Sequence, residues 1–156
     1  MTRITGELIV KSSQRFALVV SEFNEFITMR LAASATECIC RHGGTERQVT
    51  QVQVPGSLEI PLIARALAKS GKYSAVICLG CVIRGETTHY DHVANGVARG
   101  VQQAGLETGV PLVFGVITAD TMDQAVDRAG LKQGNAGWHA ACTAIATANV
   151  LAKISE

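Results

Sequence analysis

Short apolar runs alternate with longer stretches of helical spacing from one end of the chain to the other. Arg15 to Val20 (Arg-Phe-Ala-Leu-Val-Val) is apolar past its first residue and too short for a helix, so it predicts a buried strand. Phe26 to His42 then carries helical spacing, stopped by Gly43-Gly44. Val49, Val52 and Val54 predict a second strand, closed by Pro55-Gly56. Ser57 is placed to cap a helix from about Leu58 to Ser70, with Gly71 past its end. Tyr73 to Ile83 holds the most continuous apolar run in the chain and predicts a third strand. Gly85 breaks that run, and Thr87 or Thr88 can cap a long helix reaching about Glu107. Val110 to Thr118, opened by Pro111, predicts a fourth strand, and Thr118 or Asp120 caps a helix through Arg128. An alanine-rich helix from Asn135 to about Lys153 ends the pattern.

Strands that alternate with helices imply right-handed crossovers and a parallel sheet covered on both faces. The expected architecture is a three-layer α/β/α sandwich with a four-stranded parallel sheet, of flavodoxin-like type. At 156 residues, with 47% hydrophobic positions, the chain is expected to form a single domain over residues 1–156. A fold of this size hides roughly 70% of the surface of its unfolded chain, enough for a core without metal or disulfides. Lys and Arg total 14 against 13 Asp and Glu, and they are scattered singly. That distribution argues against a nucleic-acid surface or a polybasic membrane patch. No apolar run reaches the eighteen or so residues of a membrane span, and Met1 to Glu7 lacks the apolar stretch of an export signal, so a soluble cytoplasmic protein is expected. The helices around Ala64, Ala66 and Ala68, and around Ala140, Ala141, Ala144, Ala146 and Ala148, are short of polar cover. With a mean hydropathy of +0.23, they predict self-association.

Five cysteines without an export signal predict reduced thiols. Cys78 and Cys81 form a Cys-x-x-Cys, but Cys78 lies inside the run Ala75 to Leu79, and no second pair stands at metal spacing. Packing explains both. The more informative chemistry lies just after the strands, because open parallel sheets bind ligands beyond their carboxyl ends. Those positions are Ser21-Glu22-Phe23-Asn24, Pro55-Gly56-Ser57-Leu58-Glu59, Arg84-Gly85-Glu86-Thr87-Thr88-His89 and Thr118-Ala119-Asp120. In the third, a glycine turn feeding a helix offers free amides, the positive end of the helix dipole and two hydroxyls, which suits a phosphate or another dianion. An ordinary capped helix explains the same residues equally well. It is neither a Walker loop nor a dinucleotide fingerprint, since both glycine patterns are absent.

His89, in the first turn of that helix, is a candidate proton carrier, against the alternative of a solvated surface histidine. His92 stands three residues on, but no carboxylate or thiol at a matching position supports a metal. Glu59 and Arg128 also read as charges favoured by the ends of their helices, and Phe23 and Phe114 as core residues.

Taken together these segments resemble the 6,7-dimethyl-8-ribityllumazine synthase family. The resemblance runs through Phe16 to Asn24, Val54 to Pro61, Gly80 to Tyr90, Phe114 to Thr121, Asp127 to Gly130 and Gly134 to Gly137. It implies a condensation of 5-amino-6-(D-ribitylamino)uracil with L-3,4-dihydroxy-2-butanone 4-phosphate, the penultimate step of riboflavin biosynthesis, with loss of phosphate and water and no cofactor or metal. By position it implies that Phe23 stacks on the pyrimidine, and that Asn24 with Ser57, Leu58 and Glu59 binds the uracil substrate and its ribityl chain. Cys81, Val82 and Ile83 would meet the pyrimidine through backbone groups. The amides of Glu86 and Thr87, with the Thr87 hydroxyl, would hold the butanone phosphate, and His89 would transfer protons. Phe114 and Arg128 would come from a neighbouring subunit, Arg128 pairing with the phosphate.

The resemblance further implies a pentamer, which in many members of the family builds an icosahedral shell of sixty subunits. The short Gly130 to Asn135 connection is compatible with the shell. One departure stands out: the family usually has Gly-Asn-Lys-Gly where this chain has Gly-Asn-Ala-Gly, so Ala136 replaces a lysine near the substrates, and Lys132 is placed to restore part of the charge. That departure motivates an alternative, a shell-forming or riboflavin-binding paralogue with weak turnover. A flavodoxin-like carrier of FMN is a third class, disfavoured because no hydroxyl-rich loop follows the first strand.

Overall fold

The computed structural model describes residues 1–132 and 134–156. In chain order the elements are β1 (Phe16–Ser21), α1 (Glu25–Arg41), β2 (Val49–Val54), α2 (Ile60–Lys69), β3 (Ala75–Ile83), α3 (His89–Thr108), β4 (Leu112–Ala119), α4 (Met122–Arg128) and α5 (Ala136–Ser155). The strands form one parallel sheet in the order β2-β1-β3-β4. Helices cover both faces, which is the three-layer flavodoxin-like architecture that the alternating pattern predicts.

The two-residue period of each strand sorts its side chains between two cores. Phe16, Leu18 and Val20 of β1, with Ala75, Ile77, Leu79 and Cys81 of β3, pack against α1, α4 and α5. Ala17 and Val19, with Val76, Cys78 and Val82, pack against α2 and α3. Both central strands are therefore apolar on both faces, and their continuous runs in the sequence follow from that. α1 and α5 touch almost backbone to backbone, since a Cβ added to Gly137 would collide with the Leu31 carbonyl. Residues 5–10 lie along α5, where Asn149 donates to the Glu7 and Ile9 carbonyls at 2.7 and 2.9 Å. Among the described residues no helix is long and apolar enough to cross a membrane.

Several expected helix starts move. α4 is capped by Thr121, whose hydroxyl accepts from the Gln124 amide at 3.2 Å, not by Thr118 or Asp120. Thr118 is still extended in β4, and Asp120 accepts from Arg84 instead. Ser57 caps no helix: residues 57–59 form a 3-10 turn ahead of α2, and the Ser57 side chain is buried. α3 starts after Thr88, whose side chain makes no cap; of the two expected threonines it is Thr87 whose hydroxyl accepts from the first helical amide, that of His89, at 3.3 Å. The helix ends hold as expected, with Gly43 and Gly71 in the left-handed region at φ of 95° and 71°.

Candidate active site

A cleft of about 380 Å3 opens at the carboxyl end of the sheet. Three strand ends build it. From β1 comes Phe23, from the β2 exit Gly56, Ser57, Leu58 and Glu59, from β3 Cys81, Val82 and Ile83, and from the turn into α3 Gly85, Thr87 and His89. Nine of the thirteen residues singled out in the sequence therefore line a single cavity. Tyr90 and Val93 complete it. Both were missed as site residues, although Val93 stands one helical turn after His89 and so shares its face.

The first two strand ends are tied to each other. The Glu22 amide donates to the Val54 carbonyl at 2.8 Å and the Phe23 amide to the Pro55 carbonyl at 3.1 Å, so the β1–β2 ladder runs on past both strands. Asn24 takes left-handed backbone angles, φ 59°, and its amide group donates to the Cys81 carbonyl at 3.0 Å. Asn24 thus braces the cleft from behind, and its side chain is spent on the protein. These bonds fix Phe23 on a short rigid turn, where its ring is 71% exposed. An aromatic ring held out in water at the mouth of a cleft suits a flat partner and excludes the core reading for Phe23. Ser21, by contrast, lies wholly below the rim, and its hydroxyl is buried without a hydrogen-bond partner among the described residues. A Cβ on Gly80 would come within 2.7 Å of the Ser57 hydroxyl oxygen, so only glycine leaves that hydroxyl its place beneath the cleft.

The third strand end is open. Among the described residues no acceptor takes the amides of Gly85, Glu86, Thr87 or Thr88. A side chain at Gly85 would meet nothing within 4 Å, so the corner is not plugged. With the His89 amide already donating to it, the Thr87 hydroxyl keeps its own proton for a ligand. Free amides, a hydroxyl and the start of a twenty-residue helix converge there, with an exposed imidazole next to them. Glu86 is exposed beside this turn and does not line the cleft, so the turn offers its amide and not its carboxylate.

Phe114 and Arg128 lie elsewhere. They line a groove of about 550 Å3 along the outer side of β4, together with Ala136, His139 and Ala140. Phe114 is 42% exposed, again not a core residue, and Arg128 donates to the Thr118 carbonyl of its own chain at 3.2 Å. Within one chain, then, the groove and the cleft are separate. Between them lies a polar notch with Tyr90, which also lines the cleft, at one side and Arg128, which also lines the groove, at the other.

The cysteines are all free. Burial pushes the Cys78 thiol up to about 12 and the Cys81 thiol to about 11, both from 9.0, so these groups stay protonated and serve the core. The Cys81 side chain packs in the α1–α5 core, its carbonyl accepts from Asn24, and the residue still lines the cleft.

A model of the 6,7-dimethyl-8-ribityllumazine synthase family matches residues 13–152 of the 156. The matched span contains every residue of the cleft, the notch and the groove.

Proposed function

The chain belongs to the 6,7-dimethyl-8-ribityllumazine synthase family, the transferase family of riboflavin biosynthesis, and on that premise we propose that it condenses 5-amino-6-(D-ribitylamino)uracil with L-3,4-dihydroxy-2-butanone 4-phosphate. The observation that carries this reading is the pairing of an exposed aromatic ring with an open anion corner in one cleft. The pyrimidine stacks on Phe23, its polar edge meets backbone groups of Cys81 to Ile83, and the ribityl hydroxyls lie along Ser57 to Glu59. The butanone phosphate sits on the free amides of residues 85–88 and the Thr87 hydroxyl. His89, two residues from Thr87, moves protons between the substrates as the imine forms, phosphate leaves and the ring closes.

No cofactor is needed for these steps, because the amine is a good nucleophile and phosphate is a good leaving group. Most of the rate comes from holding the two substrates together. Phe114 and Arg128, which stand on a separate groove in one chain, complete the cleft of a neighbouring copy, Arg128 neutralising the phosphate. A pentamer places each groove against the next cleft, and pentamers assemble further into an icosahedral shell in the cytoplasm.

The direct test mixes purified protein with both substrates and follows lumazine absorbance. Product formation at a rate far above the uncatalysed reaction supports the proposal. A second reading is favoured by one residue: Ala136 lines the same groove as Phe114 and Arg128, where the family has a lysine, so the groove carries less charge. Negligible turnover with tight riboflavin binding would make the protein a riboflavin-binding or shell-forming paralogue. Light scattering after size exclusion separates pentamer from shell.

A further inference from the structure

The turn at residues 85–88 has a weakness: its own amides make no hydrogen bonds among the described residues, so something else must hold it in place. The residue before it does so. Arg84 extends the β3–β4 ladder by donating its amide to the Ala119 carbonyl at 2.8 Å. Its Nε donates to Asp120 Oδ1 at 2.8 Å, its Nη2 lies 3.7 Å from Asp91, and its guanidinium stands 4.4 Å from the centre of the Tyr90 ring. One side chain thus joins the end of β3, the first turn of α3 and the β4–α4 turn. Those elements enclose the open corner and the polar notch.

We propose that Arg84 is a positioning residue for the phosphate-bearing substrate, fixing the 85–88 turn and shielding its anion from Asp91 and Asp120. This deepens the reading given under the proposed function and rests on it. Two physical facts support the assignment. A planar guanidinium can serve two carboxylates and an aromatic face at once, which an ammonium cannot. Without the cation, two carboxylates would stand uncompensated beside a dianion. The pairs are half exposed, 46% for Arg84 and 64% for Asp120, so they add little to global stability. Their effect should therefore show in the site and not in the fold.

The experiment measures both KM values, kcat and thermal stability of Arg84→Gln, Arg84→Lys and Asp120→Asn in the assembled protein. The expected result for Arg84→Gln is a KM for the butanone phosphate raised about tenfold, with the uracil KM and Tm nearly unchanged. Arg84→Lys restores the charge but not the fork and falls between. Adding Asp120→Asn to Arg84→Gln lowers the phosphate KM again, because it removes one repelling carboxylate. Equal changes in both KM values, or none, would overturn the assignment. Calorimetric titration with inorganic phosphate repeats the comparison without turnover. If the unaltered protein makes no lumazine yet loses phosphate affinity on Arg84→Gln, the enzyme reading fails and Arg84's role stands. If it makes lumazine at equal phosphate KM in every variant, the inference alone fails.

Discussion

The cleft and the groove differ in what one chain can do with each. The cleft gathers residues from three strand ends within one protomer and presents an aromatic ring, an open amide corner and an imidazole to the same volume. The groove offers a ring and a guanidinium along an edge strand, with the His139 imidazole and the hydroxyls of Thr143 and Thr147 beside them but no carboxylate among its described lining residues. The difference teaches that one chain joins the aromatic ring to the anion corner but keeps the Arg128 guanidinium on a separate surface. On the proposed function, each region is half of an arrangement completed between copies.

The sharpest way to break that comparison is to damage the groove. If it completes a neighbouring cleft, Arg128→Ala should lower kcat/KM by about 10³-fold, since it leaves a bound dianion without its cation. If the groove is a bystander, activity will not move. A mixing experiment sharpens the same point. Arg128→Ala and His89→Ala subunits, unfolded together and refolded in equal amounts, should regain activity at about a quarter of the sites, the fraction that draws an intact cleft and an intact groove from different chains. Recovery near zero would mean that cleft and groove act within one chain.

Damage to the cleft should be milder. Because proximity supplies much of the rate, His89→Ala should slow turnover on the order of 10²-fold without abolishing it. Total loss of activity in a folded His89→Ala protein would show that the imidazole has another role.

Alkali should affect both regions together, because the cleft draws on β3 and the groove lies on β4, which pairs with β3 along its length. In the fold Cys78 keeps its proton up to about 12, whereas in the unfolded chain it ionises near 9.0. The unfolded state therefore sheds its proton first. Stability from this group is full below pH 9 and declines above it, by at most about 1.4 kcal/mol per pH unit, until the folded value is passed. Thermal unfolding measured from pH 7 to 11 should show this decline, and Cys78→Ala should make it shallower without removing it, because the Cys81 and Cys38 thiols are also raised, to about 11 and about 12.

The smallest effect lies far from either region. The Glu107 carboxyl is held below its ordinary value, first by the hydrogen bond from Arg65 and then by one from Gln103. A lowered carboxylate stabilises the fold above its ordinary pKa and loses that contribution as the pH falls through the folded value. The pair is exposed, so Glu107→Gln should change Tm slightly at pH 7 and progressively less as the pH falls below 4.5, with activity untouched.

How much of this was legible in the sequence depends on the distance over which each feature is decided. Strand and helix identities came through because apolar periodicity is local, and a strand buried on both faces, like Ala75 to Ile83, has to be a continuous apolar run. Helix starts slipped where several hydroxyls compete within four residues. Thr118 and Asp120 both read as caps in the sequence, and the role fell instead to Thr121, because β4 and Arg84 had claimed those two. Six of the nine lining residues, Phe23, Ser57, Leu58, Glu59, Thr87 and His89, were legible because the residues after parallel strands must meet at one end of the sheet, whereas Cys81, Val82 and Ile83, still inside β3, came from the family resemblance alone.

The sequence alone determined the layered fold, the two-sided core, and the fact that rings, hydroxyls and an imidazole would meet at one rim, since these follow from short-range periodicity and from the topology of parallel strands. Only the tertiary structure decided that Asn24 is spent on the Cys81 carbonyl, that Ser21 sinks below the rim while Phe23 stands out of it, that Arg84 reaches three elements at once, and that Phe114 and Arg128 stand on the far side of the sheet's edge. Those outcomes depend on which residues distant in sequence become neighbours, and packing in three dimensions sets that.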